Sequence, residues 1–143
     1  MREVSTRHER TAERRERRVL AVLLTAAFVV SVVHYVDNVG NHDAYPQGGD
    51  LPTPSAGSIA VAWFVFTASG AIGAWLFLRG SRGVAACFLA GYALSGLVGL
   101  GHYTVPGATS MPWWRQGHVV LDVLCGAALL VFSGWLLVSD LRE

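Results

Sequence analysis

The sequence has no lysine, only two cysteines and few charges beyond its first eighteen residues. Each shortage excludes something. Cys87 and Cys125 lie well apart and inside apolar runs, so no disulfide framework is indicated, and both read as small packing residues. There is no P-loop, dinucleotide fingerprint, G-x-S-x-G elbow or C-x-x-C pair, which sets aside soluble cofactor enzymology. There are no segments of about ten residues with alternating polarity, so an outer-membrane barrel is excluded. The missing lysine beside eleven arginines is a mark of a GC-rich bacterial genome and carries no functional content.

What the chain has in quantity is apolar side chains, 52% of its 143 residues, with a mean hydropathy of +0.42. They concentrate in four runs, at about 19–37, 58–78, 84–103 and 114–139. Each approximates the ~20 residues that carry a helix across a ~30 Å hydrocarbon core. A backbone in lipid must satisfy its own hydrogen bonds, so the four runs predict an all-α fold: a polytopic, four-helix, up-and-down transmembrane bundle over 19–139. Residues 1–18 form an Arg/Glu-rich extension, 38–57 a long outer loop and 140–143 a short tail.

Ten of the eleven arginines fall on one side of this arrangement: Arg2, Arg7, Arg10, Arg14, Arg15, Arg17, Arg18, Arg79, Arg82 and Arg142. Only Arg115 falls on the other side, with Asp37, Asp43 and Asp50. The positive-inside rule then places both termini in the cytoplasm and the protein in the plasma (inner) membrane. The first run is long for the core of a signal peptide and no small-residue cleavage site follows it, so a retained anchor is expected. Glu3/Arg7 and Glu13/Arg17 stand at i, i+4, as on a solvated helical extension drawn to anionic lipid headgroups. Four glutamates dilute that charge, and no nucleic-acid partner is expected.

Turns are expected at "QGGD" and "LPTP" in the outer loop, and "RGSRG" makes the second and third helices antiparallel neighbours. On the third helix Gly83, Cys87, Gly91, Ser95 and Gly99 recur every four residues. Such a stripe lets helix backbones approach closely, and Ser69, Gly70 and Gly73 of the second helix offer a facing surface. Packing within one bundle is the first reading of the stripe; a homo-oligomer or a membrane-protein partner is the second.

The ionisable groups inside the apolar runs all lie toward the outer ends: His34 and Asp37 on the first helix, His102 on the third, His118 and Asp122 on the fourth. A lone intramembrane carboxylate costs on the order of 2.5–3.5 kcal/mol at mid-helix, so each needs a partner facing the bundle interior. His34, Asp37 and Asn38, and separately His118 and Asp122, share helix faces by spacing. Three imidazoles with carboxylates suit a divalent ion such as zinc, iron or manganese. The predicted ligands are His34, His102, His118 and Asp122, with Asp122 alternatively orienting His118 and Asp37 acting as ligand or general base. Tyr35, Asn38, His42 and Tyr103, with Asp43, are candidates to support them. The leading functional reading is a metal-dependent hydrolase acting on a lipid-like substrate near the headgroups. Alternatives are a haem b or quinone redox subunit held by two of the histidines, a proton-coupled transport element, or a non-catalytic accessory subunit.

Overall fold

The structure of the chain, a computed structural model, describes residues 2–48 and 53–142, and side chains from residue 10 onward apart from 49–52. Among the described residues it is all-helical. There are four α-helices, α1 (Arg2–Gly40), α2 (Ala56–Leu78), α3 (Arg82–Leu97) and α4 (Trp113–Asp140); short 3₁₀ segments lie between α1 and α2 and between α3 and α4, and a tight turn joins α2 to α3. Four spans are long and apolar enough to cross a membrane: Arg10–Gly40, Ala56–Leu78, Arg82–Thr104 and Trp113–Asp140. The predicted runs coincide with these within a few residues, except that α1 continues unbroken through the Arg/Glu-rich extension.

The helices are apolar on nearly every side, as membrane helices are, and only narrow stripes are buried. On α1 the stripe is Leu20, Ala27, Ser31, His34 and Asn38, while Val22, Val29, Val33 and Val36 stay exposed. On α4 it runs Arg115, His118, Val119, Asp122, Gly126, Leu129, Ser133 and Leu136. Each helix packs on its chain neighbours and α1 closes the ring against α4, while α1 and α3 barely touch across the diagonal. A core of Leu89, Leu129, Leu136, Phe77 and Phe132 fills the half nearer the arginines. Polar side chains fill the other half.

Local chemistry sets the helix ends. The Ser55 side chain accepts the Ser58 N–H at 3.2 Å and caps α2. Gly80, at φ +84°, makes the left-handed step of the predicted "RGSRG" turn. The third run departs from expectation: it is α-helical only to Leu97 and winds on as a 3₁₀ segment, Val98–Thr104. Gly99 and Gly101 weaken the α-helix there, and the tighter winding rotates His102 away from its α-helical direction. At the arginine end Arg17 pairs with Glu13 at 2.6 Å, as spaced, and Arg82 reaches Glu16 of α1 at 2.7 Å. Glu3, Arg7, Asp50 and most of "QGGD" and "LPTP" lie outside the residues whose side chains are described.

Small residues do set the helix separations, but not along one seam. The closest approach joins α3 and α4 at Gly96 and Gly126: a Cβ on Gly96 would overlap the Asp122 carbonyl, and one on Gly126 would sit 2.6 Å from the Ala93 carbonyl. Gly70 and Gly73 of α2 accommodate Tyr92 and Leu89, as the expected facing surface. Of the predicted stripe, Gly91 faces Ser69 of α2, Gly99 faces His34, Val119 and Val123, and Cys87 is exposed. The glycines of the stripe thus pack inside the bundle, Gly91 on α2 and Gly83 and Gly99 on α4, with Gly99 also on α1.

Candidate functional site

The two polar helix ends, α1 running out and α4 running back, pair across the bundle. Going inward, α1 presents Asp37 and then His34, and α4 presents Arg115, His118 and then Asp122. Antiparallel packing makes rungs of them. At the inner rung His34 Nδ1 lies 2.8 Å from Asp122 Oδ2, with the two residues only 3% and 2% exposed. At the outer rung Arg115 Nε donates to Asp37 Oδ2 at 2.8 Å and Nη2 to Oδ1 at 3.4 Å. His118 stands between the rungs, its Nε2 3.4 Å from Asp37 Oδ2 without hydrogen-bonding geometry.

One sequence expectation changes here. The carboxylate of Asp122 orients His34 on the facing helix, and neither ring nitrogen of His118 has a hydrogen-bond partner among the described residues. The i, i+4 spacing puts His118 and Asp122 on one face, but an inward-pointing side chain meets the opposite helix sooner than its own neighbour. Asp37 is already saturated: besides Arg115 it accepts from the Tyr45 hydroxyl at 2.6 Å and the Asn41 amide at 2.8 Å. Those four donors occupy the acceptor sites of the Asp37 carboxylate. It anchors the loop end of the bundle.

Arg115, Tyr45 and Asn41 were not anticipated as part of this cluster. Arg115 is 6% exposed, donates through Nη1 to the Ala44 carbonyl at 3.2 Å, and lies over the Tyr45 and Trp114 rings at 4.8 and 4.9 Å. Burial, and next the bond to Asp37, hold the Tyr45 hydroxyl protonated far above the ordinary phenol range. The signal for Arg115 was its spacing, three residues before His118 and seven before Asp122, on the same helical stripe.

His102 is brought to the cluster by the 3₁₀ segment. Its Nε2 faces the Nε2 of His34 at 3.4 Å and the Asn38 amide nitrogen at 3.1 Å. The ring centroids of His102 and His118 lie 5.5 and 5.4 Å from that of His34, so the three imidazoles do gather in one place. Proton bookkeeping is informative. With Nδ1 of His34 donating to Asp122, its Nε2 carries a lone pair; with Asn38 donating through Nδ2, so does the Nε2 of His102. Two lone pairs then face each other, an arrangement that calls for a proton or cation between them. Turning the Asn38 amide over offers its oxygen instead, and one proton on His102 then serves both neighbours.

Of the other expected supporting residues, Tyr35 donates to the Ser95 carbonyl at 3.2 Å and ties α1 to α3. His42 lies in the loop, its Nε2 donating to the Pro54 carbonyl at 2.9 Å and its Nδ1 3.6 Å from the exposed Asp43. Tyr103 is 36% exposed on the 3₁₀ segment, away from the cluster. Among the described residues no group of three or more His, Cys, Asp or Glu side chains is arranged to hold a metal ion. The predicted four-ligand set thus resolves into an oriented imidazole, its imidazole neighbour and a third imidazole beside an ion pair.

His34, Asn38 and His102 open onto a cavity of about 540 Å³. Ile59, Ala62 and Phe66 of α2 form one wall, Val98 and Val105 another, and the loop around Gln47 and Pro54 its rim. That volume falls in the range of small-molecule sites, and apolar walls with a few convergent polar groups are their usual form.

The fold and site together define a class: a compact helical bundle of four membrane-length apolar helices with a buried polar cluster at one end. Compared with protein-family models, curated proteins and solved structures, the chain matches none.

Proposed function

We propose that the chain is a multi-pass inner-membrane enzyme, termini in the cytoplasm, in which His34 acts as general base on a lipid-soluble substrate held in the cavity near the outer headgroups. Hydrolysis is the reaction class this arrangement serves best. The observation that carries the reading is the buried 2.8 Å contact between Asp122 and Nδ1 of His34, a residue that also lines the cavity, with its Nε2 turned to His102. A carboxylate on one ring nitrogen fixes the tautomer and raises the basicity of the other, which is how an Asp makes a His a base toward water. Asp122 is then a positioning residue. Asn38 and His102 are the groups placed to donate to a substrate oxygen.

A divalent ion is the second reading, favoured by one distance. Two nitrogens bound to zinc at about 2.0–2.1 Å in a tetrahedron stand roughly 3.4 Å apart, and the Nε2 atoms of His34 and His102 are separated by 3.4 Å. Those two imidazoles would hold the ion, with the remaining positions open to solvent or substrate. Bound there, it would supply a more acidic water.

One preparation tests both. The purified protein in lipid nanodiscs is assayed for hydrolysis of a medium-chain fluorogenic ester, with and without chelator, alongside an absorbance spectrum. His34→Ala is expected to lower turnover at least 100-fold. Asp122→Asn should lower kcat and shift its pH profile while leaving KM near wild type. Activity lost to chelator and restored by zinc, in wild type but not in His102→Ala, assigns the metal form. Equal turnover in wild type and His34→Ala defeats the proposal, and a Soret band would assign haem b in its place.

A further inference from the structure

The cavity beside His34 has a second property, the absence of charge. Among its described lining residues there is no Asp, Glu, Lys or Arg. Two carboxylates stand behind the wall, Asp122, which is 2% exposed and faces His34, and Asp37, which is paired with Arg115, while Asp43 beside His42 is turned out to solvent. What the cavity offers a ligand at its inner end is His34, His102 and the Asn38 amide beside an aliphatic surface, and its remaining polar lining, His42, Gln47, Thr53, Ser58 and Thr104 among it, is uncharged or imidazole. The Tyr45 and Tyr35 hydroxyls already donate, to Asp37 and to the Ser95 carbonyl.

A charged headgroup entering such a space gives up its hydration and meets no carboxylate, lysine or arginine among the described lining residues, and an ion buried without a partner is costly. An anion fares worst, because the one arginine at this end, Arg115, is turned to Asp37. A carbonyl or hydroxyl head loses much less and recovers it from Asn38 and His102. Along α2 the wall runs from Ser58 to Phe66, nine residues with a rise of roughly 12 Å between the first and last, and its side chains there are chiefly apolar. That depth suits an aliphatic tail.

We infer that the cavity selects an uncharged, single-tailed amphiphile with a carbonyl- or hydroxyl-bearing head, and rejects amphiphiles with phosphate heads. The selection rests on the proposed use of this cavity as the substrate site and specifies what enters it. A neutral acylglycerol-like molecule fits; an intact or lyso phospholipid does not.

The test compares two amphiphiles of equal chain length, monolauroylglycerol and dodecyl phosphate, binding to the full chain in nanodiscs in the presence of a chelator, so that no metal supplies charge. Equilibrium binding of radiolabelled ligand is the readout. Monolauroylglycerol is expected to bind at least tenfold more tightly, and Ala62→Trp, which fills the cavity from α2, should weaken it at least tenfold. Ile59→Phe takes the place of Ala62→Trp should that variant misfold. Dodecyl phosphate binding as tightly or more tightly, and also weakened by the filling variant, overturns the selectivity and leaves the substrate cavity standing. Binding of neither ligand that responds to filling overturns the cavity reading itself.

Discussion

Arg115 and Asp37 are the residues whose importance exceeds their appearance in the sequence. Their side chains are 7% and 11% exposed, and the guanidinium supplies two of the four donors to the carboxylate. A buried pair is weak evidence of net stability, but removing one partner leaves an uncompensated charge, at a cost of about 3–5 kcal/mol. Arg115→Leu should therefore lower the thermal midpoint in detergent by many degrees, and the double variant Arg115→Leu/Asp37→Asn should recover much of the loss. A single variant that melts with wild type would show that the pair does not hold the loop end together. At this scale the sequence was legible as to which residue types gather, since His34, His102, His118 and Asp122 do converge. It did not reveal who pairs with whom: charge and spacing place a side chain on a face, whereas the partner depends on how far the facing helix is rotated and slid. Asp122 therefore met His34, and Asp37 met an arginine that topology alone had accounted for.

At the scale of the element, the α3–α4 contact couples packing to the site. The glycine at position 96 allows the α3 backbone to rest on the carbonyl of Asp122 itself, so the register that orients His34 is set by a missing side chain. Gly96→Ala places a Cβ against backbone atoms that cannot turn aside, and overpacking of this kind costs typically 1–3 kcal/mol. It should lower the melting midpoint and, by displacing Asp122, reduce ester turnover as well. Gly117→Ala and Gly134→Ala, on the same helix as Asp122 but with open space at the new Cβ, are the controls expected to do neither. Loss in all three would mean that α4 simply resists substitution. Small-residue periodicity was visible in the sequence, yet it picked the register Gly83 to Gly99, one residue from the closest contact. A repeat of four on a 3.6-residue helix drifts around the axis, so one stripe spreads over several neighbours. The 3₁₀ segment was hidden for a related reason: Gly99 and Gly101 read equally well as packing residues and as helix weakeners, and only the position of His102 distinguishes the two.

For the whole molecule, the number, extent and order of the helices were legible because hydrocarbon thickness and backbone hydrogen bonding leave few alternatives. The same arginine asymmetry that predicts orientation is a property of the folded bundle: Arg17 and Arg82 lie at one end with Glu13 and Glu16, and the His/Asp cluster lies at the other. The proposed function depends on that polarity, since a base beside a cavity at the outer leaflet would meet different molecules from one at the inner leaflet. Labelling in intact cells decides it. In a chain with Cys87 and Cys125 replaced by serine, single cysteines at exposed Arg10 and exposed Thr109 mark the two ends. A membrane-impermeant maleimide should label Thr109→Cys in intact cells and Arg10→Cys only after lysis. The reverse pattern would put the arginine end outside, against the energetic preference that retains positive charge in the cytoplasm, and would move the site, its cavity and any substrate to the inner leaflet.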